Sequence, residues 1–378
     1  MFATRKTQSL MLASAGALLL AGCASTPKTP VFDANASAQA QAAHFIADNG
    51  KTKYMSGVKK VAVLGCNVLF AENSSAHAGT DGGMFSTPAG VTRAEAKVSV
   101  LYSLSGLSDA DMQRMTNNIC KDAEDRLQKA GMDVTPTSEL MKNEAFQQLL
   151  SAGKASPFNY KTPTKGSKTT YKIFAPTGYT VYDMRYLGSL GGLGQAFKAA
   201  GGNSAAQLET RVMKQLDVSA VTINIMIDFA QLQSDGTRGG LGGLASKNSA
   251  EVKHGVNLGI TGLVDVKPVK ELKCWKRFGK DECMLNVVAP TFNSKNAITT
   301  NEQFYKAVVN ATTTGDKAAS AITKGLSMLA AAGGISGSSS VDITRYRVEV
   351  EPAQFEKVSR KGVDGFMDMT FYSAKAKM

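Results

Sequence analysis

The stretch VKKVAVLGCNVLF, residues 58 to 70, constrains this chain most. Val61 to Leu64 is an unbroken apolar run inside a strand-like segment, the pattern of a strand buried on both faces. Such a strand needs layers above and below it. VSAVTINIMIDFAQL, residues 218 to 232, has the same character: Val221, Ile223, Ile225, Ile227 and Phe229 line one face and Met226 thickens the other. Two strands of this kind predict a sheet with helices packed on it, either α/β or α+β.

The clearest predicted helix opens at Ser108, with Asp111 three residues on as a capping box. Met112, Met115, Ile119, Ala123, Leu127 and Ala130 form its apolar stripe, and Gly131 stands in the favoured C′ position. MDVTP then reads as a short strand, and a second helix is expected from about Ser138 to Ala152. A third, capped by Asn203, places Leu208, Val212 and Leu216 in register. AEAKVSVLYSL, residues 94 to 104, alternates as a strand with one wet face. VKHGVNLGITGLVDV, with Lys267–Pro268 as a turn and CMLNVVAP following, reads as an antiparallel meander. Thr300–Asn301–Glu302–Gln303 looks like the cap of a long helix reaching Leu329. GGISGSSS is read as a linker, and VDITRYRVEVEP and GFMDMTFYS as two closing strands. Residues 71 to 91 and 156 to 202 read as Gly-rich insertions, the second holding a hairpin turn at Pro176–Thr177–Gly178.

The amino terminus is a different kind of sequence. Arg5 and Lys6 precede an apolar run of about eleven residues, Leu10 to Leu20, ending in Ala21–Gly22–Cys23. The run is too short to span a bilayer, which takes roughly 20 residues, and it fits the core of an export signal. Leu20–Ala21–Gly22–Cys23 resembles the lipobox of bacterial lipoproteins. The resemblance implies acylation of Cys23 and cleavage before it, with residues 1–22 as signal and 23–57 as lipidated terminus and tether. Ala24, where such proteins carry Asp for inner-membrane retention, implies an outer-membrane address on the periplasmic face. The remaining domain organisation is expected as a periplasmic body over 58–335, completed by the strands of 336–378.

Removing 22 residues from 378 leaves 356, enough for one large or two smaller domains. Formal net charge is +12, or +10 without Arg5 and Lys6, and no run of five basic residues occurs. That reads as a basic envelope protein with no nucleic-acid partner. Beyond Cys23 four cysteines remain, which in an oxidising compartment suggests two disulfides. Cys274 and Cys283 bracket CWKRFGKDEC, a spacing suited to the neck of a hairpin, which leaves Cys66 and Cys120 for each other. Four cysteines allow three connectivities. No C-x-x-C occurs and His44, His77 and His254 are isolated, so no metal or other cofactor is expected.

Several segments resemble the curli-secretion lipoproteins: KKVAVLGCNVLF an opening strand, the helix through Asn118 to Gly131 with MDVTPTSEL a helix and strand, LDVSAVTINIMIDFAQL a central strand, GVNLGITGLVDVKPVKEL a meander strand and turn, and NEQFYKAVVNA a closing helix. That family has a periplasmic α/β domain similar to the N-terminal domain of the Tol–Pal translocation protein, and its secretion members cross the outer membrane with two amphipathic hairpins per subunit. A spanning strand takes about 9–11 alternating residues. Here 94–104 has that length, with Tyr171 to Tyr186 a weaker second.

No nucleophile elbow, zinc-protease helix or S-x-x-K motif stands on a suitable turn. Asp109 and Asp111 sit in a first helical turn, where cap and dipole already account for them. The functional expectation is a non-catalytic, membrane-anchored envelope assembly or accessory protein with envelope protein partners, able to form homo-oligomers. A secretion-channel subunit and a polysaccharide-directed enzyme are the alternatives.

Overall fold

The structure is a computed structural model describing residues 30–79, 95–162, 167–182, 205–237, 249–277, 280–300, 302–317 and 339–378. The chain opens with α1 (Ala38–Phe45), β1 (Ile46–Asp48) and the long strand β2 (Lys60–Gly79). Then come β3 (Glu95–Ser105), α2 (Asp109–Lys129), β4 (Asp133–Val134), α3 (Thr137–Leu140) and α4 (Glu144–Ala152). β5 (Phe158–Lys161), β6 (Ser167–Phe174), α5 (Ala205–Leu216), β7 (Ser219–Thr237) and β8 (Ser249–Lys267) follow. The last elements are β9 (Leu272–Arg277), β10 (Lys280–Leu285), β11 (Thr291–Ser294), β12 (Ile298–Thr299), β13 (Ala307–Asn310), β14 (Ser339–Glu349) and α6 (Pro352–Lys375). The fold is mixed α/β.

Twelve of these strands form one mixed sheet, ordered β1-β11-β8-β7-β2-β3-β14-β13 along its main path, and β9 and β10 form a separate hairpin. The lower half of β2 pairs parallel with β7, from Val61↔Ser219 to Phe70↔Ile227. α2 and α6 cover one face of the sheet. Cys66 of β2 is bonded to Cys120 of α2, and Gly262 of β8 lies under the Phe366 ring of α6. The opposite face carries α5, where Glu209 pairs with Lys267 of β8 in the interior. Val61, Ala62, Leu64, Val68, Leu69 and Phe70 are therefore all buried.

Beyond Phe70 the sheet divides. β6 stays on one edge of β2, from Val68↔Phe174 to Ala76↔Ser167, with a bulge at Glu72. On the other edge β7 leaves and β3 takes its place, from Asn73↔Ser103 to Gly79↔Lys97. β7 and β8 continue as a hairpin to Thr237↔Ser249, with a second irregularity at Phe229. Bulges sharpen twist and bend a strand, and here they turn the β7–β8 hairpin out of the plane. It packs on β3, which is not its hydrogen-bonded neighbour. Ala76, Val100, Tyr102 and Val252 are buried, and Val98, Ala230, Leu232 and Val256 pack on the same core.

Several expectations are corrected. Residues 30–57 belong to the body rather than to a tether: α1 packs on α6, β1 adds an edge to the sheet and Phe32 lies against Gly365. Residues 71–79 continue β2 instead of looping, because β3 and β6 satisfy both of its edges. The insertion expected at 156–202 contains β5 and β6. Pro176 to Tyr179 does form a turn, and Val181 then bridges Lys154, so the described part of the second spanning candidate, 171–182, is no continuous strand, and 183–186 lie outside the described residues. The helix expected from Thr300 is replaced over 307–310 by β13, whose Val308 and Val309 are β-branched and pair with β14. The expected helix between Ser138 and Ala152 is two pieces, α3 and α4. GFMDMTFYS is no strand but part of α6: its hydrophobics alternate in isolation, yet Phe355, Val358, Gly362, Val363, Phe366 and Met369 carry a helical period into the core.

α6 approaches the sheet closely because glycines meet it. A Cβ at Gly262 would stand 2.6 Å from the Phe366 ring and 2.8 Å from the Asn224 carbonyl oxygen. One at Gly362 would stand 2.6 Å from Ile260 Cγ1. Overpacking of this kind costs roughly 1–3 kcal/mol. Gly262→Ala is expected to lower stability by about that amount in denaturant titration, and an unchanged midpoint would show that α6 is free to lift.

Candidate functional site

Cys23 lies outside the described residues. The other four cysteines form two bridges, Cys66–Cys120 and Cys274–Cys283, with Cα separations of 6.0 and 4.1 Å. The first closes 54 residues and would contribute about 4 kcal/mol in the chain-entropy model. It fixes α2 on β2 at the level where β2 and β7 still pair. Asp109 and Asp111 each meet a second carboxylate only across a shared cation, Glu72 across Lys172 and Glu356 across Arg114. Asp111 accepts from the Ser108 backbone N–H at 3.1 Å, and the Ser108 hydroxyl and backbone hold it below its usual range. Asp109 takes Lys172 Nζ at 2.7 Å. His44 lies on α1 and His77 on β2, where its Nδ1 is 2.7 Å from Ser99 Oγ. Among the described residues no cluster of three His, Cys, Asp or Glu side chains could hold a metal.

The polar groups that the fold does gather lie at the fork of the sheet. Ile227 is the last residue of β7 to pair with β2, and Asp228 is the next. Tyr171 of β6 pairs with Ala71, one step past Phe70 on the same strand. The Tyr171 hydroxyl reaches Asp228, donating to Oδ2 at 2.9 Å with Oδ1 at 3.1 Å. Burial pushes the Asp228 carboxyl up to about 6, and the Tyr171 hydrogen bond partly opposes this. Side chains alternate along β6, so the next residue, Lys172, serves the other face. Its Nζ lies 2.7 Å from Asp109 and 3.4 Å from Glu72, the bulged residue of β2. The Asp109 hydrogen bond is the main influence raising Lys172. Two consecutive residues of β6 thus clamp the fork from both faces.

The chemistry this permits is proton binding at a half-buried carboxyl, and the geometry is that of a clasp between strands. The sequence reading missed Asp228, although it is the one charge inside the apolar run IMIDF. Tyr171 was not legible there, because its relation to Asp228 depends on the register of β6 against β2. A second polar feature spans β2 and β7 below the fork, where Asn67 Nδ2 donates to Asn224 Oδ1 and to the Tyr182 carbonyl, both at 2.9 Å. The Glu209–Lys267 pair fixes α5 to the end of β8, and losing one partner of such a buried pair costs roughly 3–5 kcal/mol.

The raised Asp228 carboxyl has a definite pH signature. Its folded-state value, about 6, lies above the unfolded value of about 3.9. Folding therefore favours the proton, and the stability this contributes is lost as pH rises through 6. The loss is at most about 3 kcal/mol by neutral pH, less where water reaches the half-buried group. Asp228→Asn keeps an acceptor for Tyr171 and removes the titration. It should be more stable than the parent at pH 8 and lose that advantage by pH 4, as read by urea unfolding. A pH-independent difference would overturn the assignment. No family model, no curated protein and no solved structure matches this chain.

Proposed function

We propose that the chain is a lipid-anchored protein of the bacterial envelope, held by acylated Cys23 on the periplasmic face of the outer membrane. Its α/β body acts without catalysis as an assembly or accessory factor that binds other envelope proteins. The observation that supports this best is how soon folded structure follows the lipobox. Phe32 already packs edge-on against Phe45, with ring centroids 6.0 Å apart, and sits on Gly365 of α6. Nine residues from Cys23 to Phe32 span at most roughly 30 Å, so the anchor holds the body against the bilayer. Two bridges suit an oxidising compartment, and acyl chains of this kind anchor stably when more than one is present.

One observation favours the channel reading as a second possibility. Past the fork, residues 71–79, 95–105, 229–237 and 249–258 give four strand segments of 9 to 11 residues, the length that crosses a bilayer as a barrel strand. In the monomer, however, their apolar sides pack together, and β6 and β14 occupy the outer edges of β2 and β3.

Cys23→Ser should abolish fatty-acid labelling and release the body from membranes; unchanged membrane partition would refute the anchor. The acylated protein in detergent should run as a small species, and crosslinked capture from cells should recover specific envelope proteins only when Cys23 is intact. A large ring with membrane-embedded mass would replace the accessory reading with the channel.

A further inference from the structure

The β9–β10 hairpin stands apart from the main sheet at the base of the body, where β8 ends, and its two sides differ in character. One side faces α5: Cys283 is buried, the Thr210 hydroxyl donates to its carbonyl at 2.9 Å, and Leu272 packs on the core. Residues opposite one another in an antiparallel pair share a face. The register Trp275↔Glu282 and Lys273↔Met284 therefore places Lys273, Trp275, Met284 and the half-buried Glu282 together on the outward side. Trp275 is 43% exposed and Met284 54%, and Lys273 is exposed beside them, while Lys276, also exposed, alternates to the other side of the strand. Val288, 63% exposed, follows directly after the hairpin. The Cys274–Cys283 bridge crosses this ladder and holds the two strands together.

An indole, a thioether and a lysine on one rigid exposed face are groups that settle at a membrane interface: the ring at headgroup level, the Lys273 ammonium on anionic lipid. The base is also within reach of the anchor. Phe45, which Phe32 packs on, accepts from Lys295 N, and from there β11 runs only to Thr291 at the base, about 13 Å. The tether from Cys23 is longer than that.

We propose that the outward face of the β9–β10 hairpin, centred on Trp275, docks on an anionic phospholipid surface as a second membrane contact beside the acyl anchor. This rests on the reading of a single tethered body rather than a channel subunit.

Trp275 is the sole tryptophan, so its emission reports on this face alone. The test uses the whole chain after the signal segment, with Cys23 replaced by Ser so that no acyl chain is present. Vesicles of phosphatidylcholine with one-third phosphatidylglycerol should shift Trp275 emission to the blue and sediment the protein; pure phosphatidylcholine should do so far less. Lys273→Glu, at an exposed position on the outward side, should weaken binding by roughly tenfold, with the thermal midpoint as the check on folding. Trp275→Ala should reduce sedimentation as well. Absence of a blue shift, or vesicle binding that both variants leave unchanged, would overturn the proposal. So would a Trp275 shift produced by an acidic protein partner and not by vesicles. The detergent size measurement tests the tethered-body reading separately, since it does not depend on Trp275.

Discussion

Everything in this fold depends on β2, whose one edge passes from β7 to β3 along almost its whole length and whose other takes β4 at its start and β6 from Val68 to Ala76, while its lower half is buried on both faces. A buried strand cannot leave backbone N–H and C=O groups unpaired. β4 and β6 supply one edge, β7 and then β3 the other. The exchange of β7 for β3 is forced by this requirement: when one neighbour bends away, another must take its ladder. The division of the sheet, the second apolar layer above it and the position of α2 all follow from that handover.

The same requirement explains which parts of the fold could be seen in the sequence. The apolar run through Val61 and the Ser108–Gly131 helix announce themselves because one period dominates and a capping signal agrees with it. The capping box between Ser108 and Asp111 is present, and Gly131 adopts a φ of +94°. The extension of β2 through AENSSAHAG did not announce itself. Its Ser, Asn and Gly residues have turn composition, and only the hydrogen bonds of β3 and β6 keep it extended. α6 failed for the opposite reason. MDMTF alternates over five residues, and the competing helical period emerges only when Phe355 and Val358 are included. β13 shows tertiary pairing overriding a cap-like TNEQ.

The candidate site divides in the same way. Asp228 was passed over in favour of the apolar residues around it, although a charge inside IMIDF could have marked it, while the Tyr171 that faces it was set by a bulge no local pattern revealed. Both disulfide pairs could be read, since few cysteines remained to choose among. The basic composition also acquires meaning only in the structure. Arg126 bonds Asp364 at 2.9 Å and Asp368 at 2.7 Å, Arg345 bonds Asp316, and Lys361 bonds Glu302, so part of the cationic charge is spent on joining elements to one another.

The two bridges share a property of order. Each joins cysteines that are consecutive along the chain, Cys66 with Cys120 and Cys274 with Cys283, and neither bridge encloses or crosses the other. In a chain threaded amino terminus first into an oxidising compartment, with the Cys23 thiol blocked by the proposed acylation, an oxidant that joins each free thiol to the next one to emerge would produce the native set without isomerisation. The first bridge can close before β7 and β8 exist. The scaffold of β2 and α2 is then covalently committed while the strands that will divide the sheet are still arriving.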